Sequence, residues 1–199
     1  PSEAQNYADS IKELREKYKG KIDIKLGFEL EYYPRLIDKE IEFLKSLDYD
    51  YLILGQHYVD NEYEDYAIYT GSQTKSPAVL DKYISQVILA AKSGLFTYIA
   101  HPDLINFKGD NKLYIQKMTY MVNELKKLDI PLEFNFLGYT DKRNYPNKDF
   151  WQIVSEVKND VVIGLDAHNP NVYGNKKNLE RAKKYLKSLN ITPLDKIEM

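Results

Sequence analysis

The sequence predicts an α/β fold on a parallel sheet, with five β-α units in 199 residues. Three observations carry this. Short apolar runs alternate with longer segments of helical periodicity. The runs read as buried on both faces and are joined by helices, the mark of parallel pairing. No repeat, low-complexity tract or linker interrupts the alternation, and the length suits one domain spanning 1–199.

The elements follow in order. Tyr7, Ile11 and Leu14 recur at helical spacing near the start. Residues 21–32 (KIDIKLGFELEY) alternate in polarity between Gly20 and Pro34, which predicts the first strand. Leu36, Ile37, Ile41, Phe43 and Leu44 mark a helix. Residues 51–55 (YLILG) are an apolar second strand, and the polar, tyrosine-rich stretch 60–75 reads as a long loop. Pro77 opens a helix at a favourable first-turn position, and Gly94 stops it. Residues 95–101 (LFTYIAH) form the third strand, 112–128 a helix and 130–136 (IPLEFNF) the fourth strand. A helix over 147–158, the strand 160–166 (DVVIGLD) and a helix over 176–189 close the chain.

Two closures suit this pattern, an open doubly wound sheet or a barrel. Five units are too few for an eight-stranded barrel, which needs about 250 residues; a barrel missing its first strands fits.

Composition narrows the function classes. With 28 basic and 30 acidic residues, the near balance gives no broad nucleic-acid or membrane surface. No apolar run approaches a membrane span, and no signal peptide opens the sequence. The sequence has no Cys, which excludes disulfides, thiolate ligands and a cysteine nucleophile and agrees with a cytoplasmic location.

The three histidines, His57, His101 and His168, each lie within two residues of the C-terminal end of a predicted strand. Glu29 lies near the end of the first strand and Asp166 at the end of the fifth. Loops after strand ends build the active sites of parallel α/β folds, and imidazole with carboxylate suits zinc, manganese or iron. One histidine at a strand end is more often an ordinary polar residue; three of three, with the D-x-H pair Asp166 and His168, reverse that. Extended backbone through Ala167 lets both members of the pair reach one metal cluster. Glu29 and Glu31 share one side, and periodicity does not choose between them. Glu133 reads as a solvated face.

These motifs match a known family. GFELEY (27–32), GQHY (55–58), IAHPDL (99–104) and GLDAHNP (164–170) resemble, in order and spacing, the motifs of PHP-family metal-dependent phosphoesterases. FNFLGY (134–139) followed by KRNYP (142–146) resembles the histidinol-phosphatase branch of that family. The resemblance implies a distorted (β/α)7 barrel, similar in layout to a TIM barrel, with up to three divalent metals at the strand C-terminal ends. It implies Glu29, His57, His101, Asp166 and His168 as metal ligands, which selects Glu29 over Glu31. Glu29, Asp166 and His168 are the implied catalytic residues, acting through metal-activated water on a small-molecule phosphate ester. Arg143 is a candidate phosphate contact, since arginine grips phosphate through paired hydrogen bonds, and Asn135 is a candidate substrate contact or, alternatively, a hydrogen-bonding support of the rim.

The family's opening H-x-H pair is missing, and no His precedes position 57. The sequence therefore reads as the C-terminal part of a single PHP domain, with about 60 to 80 residues expected before Pro1 in a full-length relative. The resulting expectations are one metal at Glu29–His57–His101 and impaired turnover. An open barrel edge predicts either self-association or disorder near residues 1–20. The competing readings are another phosphate ester or phosphotyrosine protein as substrate, and a non-catalytic metal-binding fragment. A dinucleotide-binding module has little support, because no G-x-G-x-x-G follows a predicted strand.

Overall fold

Each of the five apolar runs contributes a strand, and all five pair in parallel. The computed structural model describes residues 2–197. In chain order the elements are α1 (Ser2–Lys17), β1 (Gly27–Leu30), α2 (Ile37–Lys45), β2 (Tyr51–Leu54), β3 (Tyr58–Val59), β4 (Ile68–Tyr69), α3 (Pro77–Lys92) and β5 (Tyr98–Ile99). They continue with α4 (Asn111–Lys127), β6 (Leu132–Asn135), α5 (Phe136–Asp141), α6 (Lys148–Val157), β7 (Val161–Gly164) and α7 (Lys176–Ser188). The sheet order is β1-β2-β5-β6-β7.

That order follows the chain without reversal. A doubly wound sheet reverses its strand order at a switch point, and this sheet has no such reversal among the described residues, so the doubly wound alternative is not what the structure shows. Parallel register brings every strand's C-terminal end to one rim: Leu30 sits opposite Leu54, Leu54 opposite Ile99, and Asn135 opposite Gly164.

The helices start where local chemistry dictates. Ser76 caps α3 by accepting from the Val79 amide, with Pro77 in the first turn. Asp110 accepts from the Lys112 and Leu113 amides at the start of α4, and Asn147 from the Asp149 and Phe150 amides at the start of α6. Between helices and sheet lies one apolar core. Phe134 from β6 packs edge-on against Trp151 of α6 at 5.0 Å, and Trp151 packs the same way against Phe150 at 5.7 Å.

Four expectations are corrected. The first strand is confined to 27–30, because only those residues find partners in β2; Ile22, in the segment before it, is 61% exposed. The third strand shrinks to Tyr98–Ile99, since β5 pairs β2 through two residues and β6 through one. The stretch 60–75 is not all loop: β4 returns antiparallel to β3, with Tyr58 opposite Tyr69. Disorder near residues 1–20 is not what the structure shows. Residues 2–17 form α1, held by the Tyr7 hydroxyl on the Gly27 carbonyl (3.2 Å) and by Arg15, which binds the Ile24 carbonyl and the Asp50 carboxylate. Pro1 lies outside the described residues.

The turn after β5 ties α3 to α6. Tyr83 of α3 donates to the Pro102 carbonyl at 2.9 Å. Asp103 is fully buried and accepts from the Asn147 amide and from the Trp151 indole N–H at 3.1 Å. Burial pushes its carboxyl up to about 7, against the lowering effect of those donors. Between about pH 4 and 7 the unfolded carboxyl ionises while the folded one holds its proton, so stability falls as pH rises across that window. We predict that Asp103→Asn flattens this descent in urea unfolding of the metal-free protein at pH 5 and pH 8. Asp103→Ala strands two buried donors and lowers stability by about 2–3 kcal/mol.

Candidate metal centre

The rim is where the backbone departs from extended geometry. His101 follows β5 with φ 31° and Asp166 follows β7 with φ 47°, in the left-handed region that non-glycine residues seldom adopt. Glu133 helps to hold the first, accepting from the His101 amide at 2.9 Å. The chain does not stay extended from Asp166 to His168, since the His168 amide turns back onto the Asp166 carbonyl at 3.1 Å. Two motif glycines are explained by close approach. A Cβ on Gly55 falls 1.9 Å from Glu29 Oε1, and one on Gly164 falls 1.6 Å from Glu133 Oε1. No side chain fits at either place while those carboxylates stay put.

Glu29, His57 and His101 form the one three-donor metal-ligand group found among the described residues, with one ligand atom from each lying within 4.8 Å of the others. Glu29 Oε1 stands 3.2 Å from His101 Nε2 and 3.8 Å from His57 Nε2, and the two imidazole centroids are 4.7 Å apart. His101 is 2% exposed, while Glu29 opens onto the pocket. Its Nδ1 is buried without a hydrogen-bond partner, so Nε2 toward Glu29 is the ring's polar contact. Desolvation raises the Glu29 carboxyl, but the hydrogen bond from His101 and the nearby imidazoles hold it below its ordinary value. Burial works against a charged His101, yet Glu29, Glu133 and Asp166 raise its pKa overall. The site therefore favours positive charge, and its nitrogen and oxygen donors fit a borderline divalent ion such as zinc.

Asp166 and His168 lie on the same rim but pair with each other, His168 Nε2 to Asp166 Oδ1 at 2.9 Å, outside the three-residue cluster. Glu31 faces His57 from behind, its Oε1 3.4 Å from Nδ1. Glu133, expected on a solvated face, is 3% exposed. All four residues of β6 are buried, so both faces of the strand are covered and neither is solvated, and the Asn135 amide and the His101 N–H both donate to Glu133 Oε2.

Asn135, expected to contact substrate, is 1% exposed and stands behind the pocket wall. Its Nδ2 donates to Glu133 Oε2 (3.0 Å) and Asp166 Oδ2 (3.1 Å), and its Oδ1 accepts the Gly138 amide (2.7 Å). Arg143 does line the pocket. It donates to the Tyr145 hydroxyl at 2.9 Å and lies 3.6 Å from Asp141. The pocket holds about 280 Å³, and Tyr69 and Tyr145 complete its aromatic wall.

Sequence reasoning missed Tyr145, Tyr69, Asp103 and the buried role of Glu133. Asp103 and Tyr145 stand inside quoted motifs, and Glu133 is a charge in an otherwise apolar strand, a placement that demands a partner. Tyr69 carried no signal among the tyrosines around it.

No family model matches the sequence. A Deinococcus radiodurans protein described as "Probable histidinol-phosphatase" is 27% identical over 180 residues, covering 84% of this chain and 66% of that protein. The chain thus spans about two thirds of the length of that relative. Among solved structures, the histidinol phosphate phosphatase (HISK) of Lactococcus lactis subsp. lactis Il1403, complexed with zinc, L-histidinol and phosphate, superposes with a TM-score of 0.71 at 18% identity. The match covers 97% of this chain and 76% of that one, and this likeness shows the fold.

Proposed function

We propose that the chain belongs to a metal-dependent phosphomonoesterase of the histidinol-phosphatase type, converting L-histidinol phosphate and water to L-histidinol and phosphate. Residues 1–199 supply the C-terminal arc of a distorted (β/α)7 PHP-type barrel. The observation that carries the reading is the convergence of Glu29, His57 and His101 beside a pocket edged by Arg143. The Deinococcus relative and the Lactococcus structure with zinc, histidinol and phosphate support it.

Glu29, His57 and His101 hold the metal, with zinc, manganese or iron as candidates. A divalent ion bound there supplies Lewis acidity toward a phosphoryl oxygen and makes water more acidic. The other steps belong to side chains. Arg143 binds phosphate oxygens through its guanidinium, and Tyr145 fixes that guanidinium by accepting its hydrogen bond. Asn135 orients Asp166, and Asp166 orients His168, whose exposed ring stands at the pocket edge to exchange a proton with the leaving alkoxide.

A second reading, metal binding without turnover by this chain alone, is favoured by the pairing of Asp166 with His168, which leaves three donors in the cluster. Turnover on histidinol phosphate separates the two.

Elemental analysis after zinc loading is expected to find about one equivalent in the wild type and none in Glu29→Gln; retention of metal by the variant refutes the site. Zinc affinity at pH 6 is expected to lie below that at pH 8, because a proton held on His101 by its carboxylate neighbours competes with the metal. Arg143→Ala is expected to raise the KM for histidinol phosphate, or phosphate's inhibition constant, about 10- to 100-fold, matching roughly 1.5–3 kcal/mol for a charged hydrogen bond. Its zinc content stays that of the wild type.

A further inference from the structure

Glu31 lies outside the converging ligand trio yet is among the most heavily hydrogen-bonded carboxylates of the site. Its Oε2 accepts three bonds: from the Tyr33 hydroxyl at 2.7 Å, the Tyr58 amide at 3.0 Å and Gln56 Nε2 at 3.2 Å. Gln56 is itself buried and locked, accepting the Tyr32 amide and donating to the Tyr58 carbonyl. This fixes the carboxylate plane. The other oxygen, Oε1, faces His57 Nδ1 at 3.4 Å. The Gly55 carbonyl lies 3.1 Å from the same nitrogen. Nδ1 is therefore hydrogen-bonded to the Gly55 carbonyl, with the Glu31 carboxylate standing beside that bond as a charged neighbour, while Nε2 points toward Glu29.

We propose that Glu31 is a positioning residue that holds the His57 proton on Nδ1 and so keeps the Nε2 lone pair free for a metal. The proposal rests on the metal-site reading above. A ligating imidazole must present an unprotonated nitrogen, and a carboxylate on its other nitrogen fixes both tautomer and ring orientation. Glu31 also explains why two glutamates are spaced two apart: one faces the metal position and the other faces the back of a metal-binding imidazole.

The network makes Glu31→Gln unusually informative. Three donors crowd the Oε2 position, so the glutamine carbonyl settles there and its NH2 takes the place of Oε1. The NH2 then offers hydrogens to Nδ1, which favours the Nε2–H tautomer and points a proton at the metal position.

The experiment combines imidazole ¹⁵N–¹H correlation spectra of the metal-free protein with calorimetric titration by Zn²⁺ alone, for wild type, Glu31→Gln and Glu29→Gln. In the wild type, neutral His57 is expected to carry its proton on Nδ1. In Glu31→Gln that population falls, and zinc affinity drops about 10- to 100-fold with one equivalent still bound. An unchanged tautomer with affinity within about twofold overturns the proposal, because the Gly55 carbonyl then suffices. Loss of the equivalent, as in Glu29→Gln, also overturns it, because Glu31 is then itself a ligand. Should the glutamine variant fail to fold, Glu31→Asp keeps the charge but withdraws it by one methylene, and the same two readouts decide. A wild type that takes up no zinc defeats the metal reading, and the tautomer comparison then decides the role of Glu31 by itself.

Discussion

One oxygen organises this site: Glu29 Oε1, shared between the Nε2 atoms of two histidines from different loops. That sharing requires β1 to pair with β2 in a register that sets Glu29 beside Ile53, and it requires Gly55 to carry no side chain. It also requires the chain to leave β5 through a left-handed residue at His101. Each condition is a backbone condition, so the site is only as precise as the parallel sheet beneath it.

Four carboxylates gather at this end of the sheet: Glu29, Glu31, Glu133 and Asp166. Charge held so close is costly in a low dielectric unless each group finds donors. The structure supplies them unevenly. Glu31 and Glu133 each have one oxygen, Oε2, held by several amide, hydroxyl or side-chain amide donors. Glu29 has only the imidazoles to neutralise it, and it faces the pocket. The well-bonded pair forms a rigid frame, and the remaining negative potential falls at the proposed metal position beside Glu29.

Asn135 couples this frame to the loop that carries Arg143. Its amide nitrogen braces Glu133 and Asp166 while its oxygen caps α5 at Gly138. The Gly138 carbonyl in turn accepts the Arg143 amide, and the Tyr145 ring packs so closely over Gly138 that a Cβ there has no room. A single helical turn thus relates the position of the guanidinium to that of the carboxylates. Behind it, Asp103 pins α6 to the turn that carries His101.

Much of this was legible in the chain. Alternating apolar runs and helical periodicity led to the parallel sheet, because burial on both faces leaves strands without polar alternation. Histidines confined to strand ends marked the rim, since parallel strands bring their C-terminal ends together. What periodicity could not decide was anything that depends on a partner across the fold. The first strand is four residues long because β2 offers no more, and β3 and β4 pair through two residues too few to leave a pattern. Glu29 and Glu31 have the same side-chain direction in sequence terms; the histidines from the following loops distinguish the two, His101 and His57 meeting Glu29 at Nε2 while Glu31 meets only His57, at Nδ1. Asn135 and Glu133 looked exposed or functional by residue type, and packing over both faces of β6 turned both into buried supports. Local sequence determined which groups reach the rim, and tertiary packing decided which of them face the pocket, because a hydrogen bond needs both of its ends in place.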